Sequence, residues 1–339
     1  LDHLNIEYFT FTHPCGYSAA AQGNFLSYKG DFTIFPFAGK FDSSFGKCSK
    51  YLNSKITGKH DLESLALFHC IPTIAQKYSS LKFRKRACYA TFENPDPPKY
   101  WLEELKKYDK VIVPSKFCQE VFQELGEKLV HLPHVIDFEH FRPFGSPKSD
   151  FKFLFWGSWK KRKGYETLIK AFSGGAFPSD VKLVIKTDRK ACKAANNYLK
   201  GVSNVSVDCS VWDYDEIPKH LNEFDCLVMP SLGEGFGLPG LMALACGLQV
   251  IAPSITGTTE YVNDETDTIP LVPDGHQTFS LDGISQFSNR KWPYFMPKNV
   301  ENCMKIALKR AKNSEKSLNF VKNRFNYAIS NEILRNLAI

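Results

Sequence analysis

Residues 230–247 read PSLGEGFGLPGLMALACG, and the pattern of this stretch decides the expected fold. The short apolar run CLVM at 226–229 precedes it and predicts a buried strand. Residues 238–246 predict a helix, with Pro239 in the first turn, where a missing N–H costs nothing. Gly233, Gly235 and Gly237 alternate between the two, so the backbone is expected to come close to a ligand and to adopt positive φ. A helix start aims N–H groups and partial positive charge into such a loop, and phosphate suits it. Glu234 would repel phosphate. Its carboxylate is better suited to hydroxyl donors attached beyond the phosphate, as on a sugar.

The chain has 339 residues, a length that suggests two domains. Hydrophobic residues make up 43% and charged residues 23%, ordinary for a globular protein with a large core. No apolar run approaches the roughly 18 residues of a membrane span, and no secretory signal is visible. Because the chain starts at Leu1, an upstream piece is expected to precede it. Ten cysteines are scattered singly, without CxxC or Cys/His zinc spacing, and Cys70, Cys88 and Cys226 sit in apolar runs. They are expected to be thiols in a reducing compartment, which places the protein in the cytoplasm. The net charge of +7 suits an anionic donor, an anionic acceptor or a peripheral membrane contact, and selects none of them.

β-rich apolar runs alternate with helical patterns throughout, which predicts an α/β fold with parallel sheets. In the first half, 6–11, 32–37, 65–70, 87–91 and 110–114 read as strands, and 16–28 and 116–125 as helices. Residues 38–63 read as a surface loop with a short helix. The second half restarts the pattern, with strands at 152–156, 182–187, 205–208, 226–229 and 249–252. Helices are expected there at 165–172, 190–199, 215–223 and 238–246. The breaker-rich segment 142–150 reads as a linker. The expected domains are therefore 1–143 and 144–298, two doubly wound Rossmann-like units facing a central cleft. Helices at 299–339 are expected to pack back toward the first. Ligands bind at the carboxyl ends of strands in such sheets.

Residues 153–172, FLFWGSWKKRKGYETLIKAF, place the basic cluster Lys160-Lys-Arg-Lys163 after a strand and before a helix. A lysine about 4 Å from a phosphate interacts by roughly 4 kcal/mol at an effective dielectric near 20. If the two strands are neighbours, this cluster reaches the anion held by the glycine loop. A solvated basic face is the alternative.

The two segments together resemble the donor site of retaining GT-B glycosyltransferases of the family 4 type. Lys163 and Arg162 match that family's basic phosphate element, and Glu234 matches the first of its two glutamates. The second glutamate position holds Met242, and Ser158 stands where a phosphate-binding arginine is common. Losing a hydrogen bond to a charged group costs roughly 1.5–3 kcal/mol, or about ten- to a hundredfold in donor affinity. His13-Pro-Cys-Gly16 matches the family's acceptor-side glycine loop. Residues 108–117, 132–143 and 251–260 match further segments in the right order.

The resemblance implies a nucleotide-diphosphate sugar as donor (UDP-, GDP- or another), no other cofactor and no metal. It implies transfer with retention to a hydroxyl of a glycan, a lipid or another acceptor. Gly157, Ser158, Arg162, Lys163, Glu234, Gly235, Phe236, Gly237, Leu238 and Met242 are the implied donor-site positions. Glu234, Lys163 and His69 are the candidate catalytic groups, and His13, Gly16 and Glu93 the acceptor-side ones. Asp213 and Asp215, one residue apart, admit a metal site, but Asp215 is better read as a helix cap. Trp212 is a candidate to flank the nucleobase. A non-catalytic nucleotide-sugar binder of the same fold is the alternative that Met242 and Ser158 motivate. Nucleic-acid binding would rest on charge alone and is not expected.

Overall fold

The computed structural model describes residues 4–144, 150–311 and 314–339. The expected linker at 142–150 therefore lies partly outside the described residues. The chain divides into two compact units. The first comprises residues up to Asp137, with Asp213–Asp215 and Arg324–Ile339. The second comprises Phe138–Trp212 and Glu216–Asn323.

The first unit is built on a six-stranded parallel sheet. Its strands are β1 (Ile6–Thr10), β2 (Phe32–Pro36), β3 (Leu65–His69), β4 (Lys85–Tyr89), β5 (Lys110–Val113) and β6 (Leu129–His131). They lie in the order β2-β1-β3-β4-β5-β6. IEYFT and LALFH are buried along their whole length, as strands covered on both faces require. Ile6, Tyr8, Leu65, Leu67, Ala87 and Tyr89 pack with Phe25 and Phe32 in the core. Leu334, Leu337 and Ala338 from the end of the chain join them. The final helix Tyr327–Leu337 is tied to the helix Gly16–Ser27 by Ser27 Oγ, which donates to Ser330 Oγ at 2.9 Å.

The second unit repeats the plan. Its parallel strands are β7 (Lys152–Trp156), β8 (Lys182–Lys186), β9 (Val205–Asp208), β10 (Cys226–Val228), β11 (Gln249–Pro253) and β12 (Thr268–Leu271). The order is β12-β11-β10-β7-β8-β9. Chain direction across the sheet reverses between β7 and β10, where Phe153 lies opposite Cys226 and Leu154 opposite Leu227. That is the topological switch point, the usual place for a ligand at the carboxyl ends of the strands. An antiparallel hairpin, β13 (Gly275–Phe279) and β14 (Arg290–Tyr294), follows the sheet. No strand pattern announces it, because GHQTF is largely exposed and RKWPY buries only two neighbouring residues, Trp292 and Pro293.

Three expectations are corrected here. The helix expected over 215–223 is shorter, Ile217–Leu221, and Glu216 rather than Asp215 stands at its start. The Asp215 carboxylate instead accepts the Lys47 N–H at 2.8 Å, so it ties the loop at Gly46 rather than capping a helix. The cysteines are not all thiols: Cys192 and Cys209 form a disulfide, with Cα atoms 5.8 Å apart. Their 17-residue spacing matches no motif. They meet because β8 and β9 are adjacent and one cysteine follows each strand. Closing a loop of this length stabilises by about 3 kcal/mol. The Cys192→Ser, Cys209→Ser double variant is expected to unfold at lower urea than the oxidised protein by that amount. It should also lose all response to dithiothreitol, and equal midpoints would refute the pairing. Among the described residues no helix is long and apolar enough to cross a membrane.

Candidate functional site

In the second unit the loop after β7 and the loop after β10 run together at the switch point. Leu232 N–H donates to the Arg162 carbonyl at 2.8 Å, and the Arg162 guanidinium donates to the Gly233 carbonyl. Gly164 sits at φ 75°, and a Cβ there would overlap the Pro230 carbonyl, so only glycine permits this approach. Of Gly233, Gly235 and Gly237, Gly237 is the one at positive φ (86°). It immediately precedes the helix Leu238–Ala245, and Tyr261 Oη donates to its carbonyl at 2.8 Å. Positive φ at all three glycines is thus corrected to one. Thr256 Oγ accepts the Glu234 N–H, and Gly257 N–H donates to the Glu234 carbonyl at 2.8 Å.

These contacts bring together residues 71 apart in sequence. Lys163 Nζ donates to Glu234 Oε1 at 2.6 Å, and Arg162 Nη1 stands 3.5 Å from Glu234 Oε2. Glu234 is 6% exposed. Burial by itself would raise its pKa, but Lys163 and Arg162 more than offset that and hold it below the usual carboxylate value. The Lys163 stem runs past Gly157, whose N–H donates to the Lys186 carbonyl at 3.1 Å. An ammonium has three N–H groups, and Glu234 takes one. The arrangement is a carboxylate and two cations beside a helix N-terminus, suited to hold an anion next to a group rich in hydroxyls.

The remaining donor-site candidates divide. Ser158 is exposed. Leu238 and Met242 are buried, and Phe236 is buried with its ring 5.8 Å from Tyr261, so these side chains belong to the core. Trp212 is also buried. It stacks on His220 at 4.6 Å, and its Nε1–H donates to Asp208 at 2.7 Å, which leaves little of the ring open. Among the described residues no three His, Cys, Asp or Glu side chains stand together as a metal site.

In the first unit His69, at the end of β3, is 2% exposed and stacks on Tyr89 at 4.0 Å. Asn24 Nδ2 donates to Tyr8 Oη at 2.8 Å, and Tyr8 Oη is hydrogen-bonded to His69 Nδ1 at 2.7 Å. Burial, and then the neighbouring His134, push the imidazole pKa well below its ordinary value, so it stays neutral at physiological pH. Tyr17 lies 5.8 Å from His69, and burial followed by the charge of Glu93 raises its phenol. His69, Tyr17 and Glu93 thus gather at the carboxyl edge of β3 and β4. His13, on the neighbouring loop after β1, and Gly16, the first residue of the helix Gly16–Ser27, are exposed. The sequence assigns no role to Tyr8, Tyr17, Tyr89, Thr256 or Tyr261: Tyr17 and Thr256 stand within matched segments, but what all five touch is decided by the fold.

Residues 150–286 match the family model described as Glycosyl transferases group 1. A glycosyltransferase of Methanocaldococcus jannaschii that has not been characterised is 30% identical over 159 residues, 46% of this chain and 43% of that one. D-inositol 3-phosphate glycosyltransferase of Arthrobacter is 31% identical over 150 residues, 40% of this chain and 35% of that one. The chain thus spans less than half the length of the curated relatives it matches. Among solved structures, Anabaena HepE in complex with UDP-glucose superposes with a TM-score of 0.75 at 14% identity, covering 99% of both chains. Sucrose-phosphate synthase of Thermosynechococcus elongatus superposes with a TM-score of 0.68 at 14% identity, covering 98% of both. The chain therefore has the GT-B fold, two Rossmann-like parallel-sheet units, and its residues 150–286 match the group 1 glycosyl transferases.

Proposed function

We propose that this protein is a glycosyltransferase that moves a sugar from a nucleoside diphosphate sugar to an acceptor hydroxyl, with retention and without a metal. The observation that carries the reading is the buried Glu234 carboxylate held by Lys163 and Arg162 at the start of the helix Leu238–Ala245. The group 1 match over the same residues supports it, and so does the binding of UDP-glucose by HepE.

The donor diphosphate lies against Lys163, Arg162 and the amino end of that helix, and Glu234 orients sugar hydroxyls. As the anomeric carbon–oxygen bond to the diphosphate breaks, the acceptor oxygen bonds the same face of that carbon. The acceptor proton passes to the departing phosphate oxygen. Lys163, Arg162 and the helix amides stabilise the charge growing there. In the first unit the His69 imidazole is a hydrogen-bonding group for an acceptor hydroxyl. The acceptor is a glycan, a lipid or another hydroxyl compound.

A panel of UDP-, GDP- and other nucleotide sugars, with and without acceptors, tests this. Transfer or donor hydrolysis is expected with at least one donor, at a rate unchanged by EDTA and with the anomeric configuration kept. Failure of every nucleotide sugar to bind would sink the reading. Met242, buried where a ribose-holding carboxylate is expected, favours a second reading as a binder. Tight binding without turnover under any condition would establish it.

A further inference from the structure

The hairpin β13–β14 reaches the basic loop of the candidate donor site, and both belong to the second unit. Asp282 Oδ1 accepts the Lys161 N–H at 2.7 Å. The Arg162 guanidinium carbon lies over the Phe287 ring, 5.5 Å from its centre. Phe287 is itself set edge-on against Trp292 at 5.4 Å, and Trp292 is fully buried. Leu281, beside Asp282, is buried as well. The base of the hairpin is anchored separately, because the Asp274 carboxylate accepts the Met296 N–H at 2.7 Å. The group 1 match ends at residue 286, inside this hairpin.

The basic loop needs such a support. Lys160, Lys161, Arg162 and Lys163 carry four adjacent like charges on a three-residue 3-10 turn, Lys161–Lys163, of which Arg162 and Lys163 are also held by Gly233 and Glu234. Like charges spread apart when nothing holds them, and an arginine loses considerable rotamer freedom when it is fixed. Asp282 fixes the backbone at the start of the turn. The Phe287 face fixes the guanidinium through the negative face of its ring.

We infer that Asp282 and Phe287 are positioning residues which preset Lys161 and Arg162 for a diphosphate, so that the hairpin is a working part of the anion site. This rests on the reading that Lys163 and Arg162 hold the donor diphosphate. Inorganic pyrophosphate is the probe, because it reports that subsite without the base or the sugar. Its affinity is measured by titration calorimetry on the full chain, for wild type, Lys163→Ala, Phe287→Leu, Asp282→Gly and Asp282→Asn.

Lys163→Ala is expected to weaken binding at least about tenfold. Phe287→Leu keeps the apolar bulk but removes the aromatic face, with an expected loss of about fivefold. Residue 282 has φ 58°, which Gly and Asn both tolerate. Asp282→Gly is therefore expected to lose about fivefold without backbone strain, and Asp282→Asn, which keeps an acceptor oxygen, should stay within about twofold of wild type. If Lys163→Ala weakens binding while Phe287→Leu and Asp282→Gly match wild type, the hairpin has no such role. If Asp282→Asn loses as much as Asp282→Gly, the hydrogen bond to Lys161 is not the cause and the inference falls. If Lys163→Ala itself binds pyrophosphate normally, the phosphate reading beneath the inference falls first.

Discussion

In the Lys163→Ala variant, kcat/KM for sugar transfer is expected to fall by about two to three orders of magnitude. Removing one preorganised donor from a developing oxyanion typically costs that much. Lys163 also holds Glu234, with 2.6 Å between the charged atoms. Its loss leaves the buried carboxylate with Arg162 at 3.5 Å, an ion pair with poorer hydrogen-bond geometry. A stability loss of about 1–3 kcal/mol is expected alongside the kinetic one. The two are separable. Assays run well below the unfolding transition, with the folded fraction checked by circular dichroism, should still show the full kinetic loss. A wild-type rate in folded Lys163→Ala protein would remove Lys163 from the site.

Glu234→Gln should give a different signature. The carboxylate is expected to bind the sugar rather than the phosphate, so transfer should fall about ten- to a hundredfold. Pyrophosphate binding should hold or improve, because a negative charge has left the anion site. Lys163→Ala, by contrast, should lose both activities. The pH dependence of stability provides a second readout. The folded-state pKa of Glu234 is depressed, because Lys163 and Arg162 outweigh burial. Its stabilising contribution is therefore present above the ordinary value of 4.5 and is lost as pH falls through the lower folded value. The urea midpoints of wild type and Glu234→Gln should differ near neutral pH and converge as pH falls below 4.5 through the lower folded value. A constant gap across that range would mean that the carboxylate is not held by its cations. Loss of pyrophosphate binding in Glu234→Gln would show that the two ligand parts had been assigned the wrong way round.

Both predictions use residues that the sequence singled out, and the reason lies in local chemistry. A strand, a glycine loop and a helix start leave a legible trace in about twenty consecutive residues, because each depends on propensity and backbone freedom. β7 and β9 coincide with the runs KFLFW and VSVD for that reason. The hairpin β13–β14 left no such trace: GHQTF is polar and largely exposed, and RKWPY buries only Trp292 and Pro293, so no alternation of apolar residues marks them. The sequence by itself singles out neither Asp282 nor Phe287. Asp215 was misjudged through the opposite fault, since a local capping rule was applied where a partner 168 residues away, Lys47, takes the carboxylate. The Cys192–Cys209 pair was missed for the same cause: its spacing is meaningless until β8 and β9 lie side by side.

By itself, then, the sequence determined the alternation of strands and helices, the two parallel α/β units, and a glycine loop with a carboxylate in it before a helix start. Each follows from interactions within a few residues or from the burial demands of single elements. Only the tertiary structure decided which charges meet. Strand order places β7 beside β10, and that adjacency brings Lys163 onto Glu234. The same long-range packing sets Phe287 under Arg162 and the Tyr8 hydroxyl on His69. Contacts between distant residues depend on strand order and side-chain direction, which no short window of sequence contains.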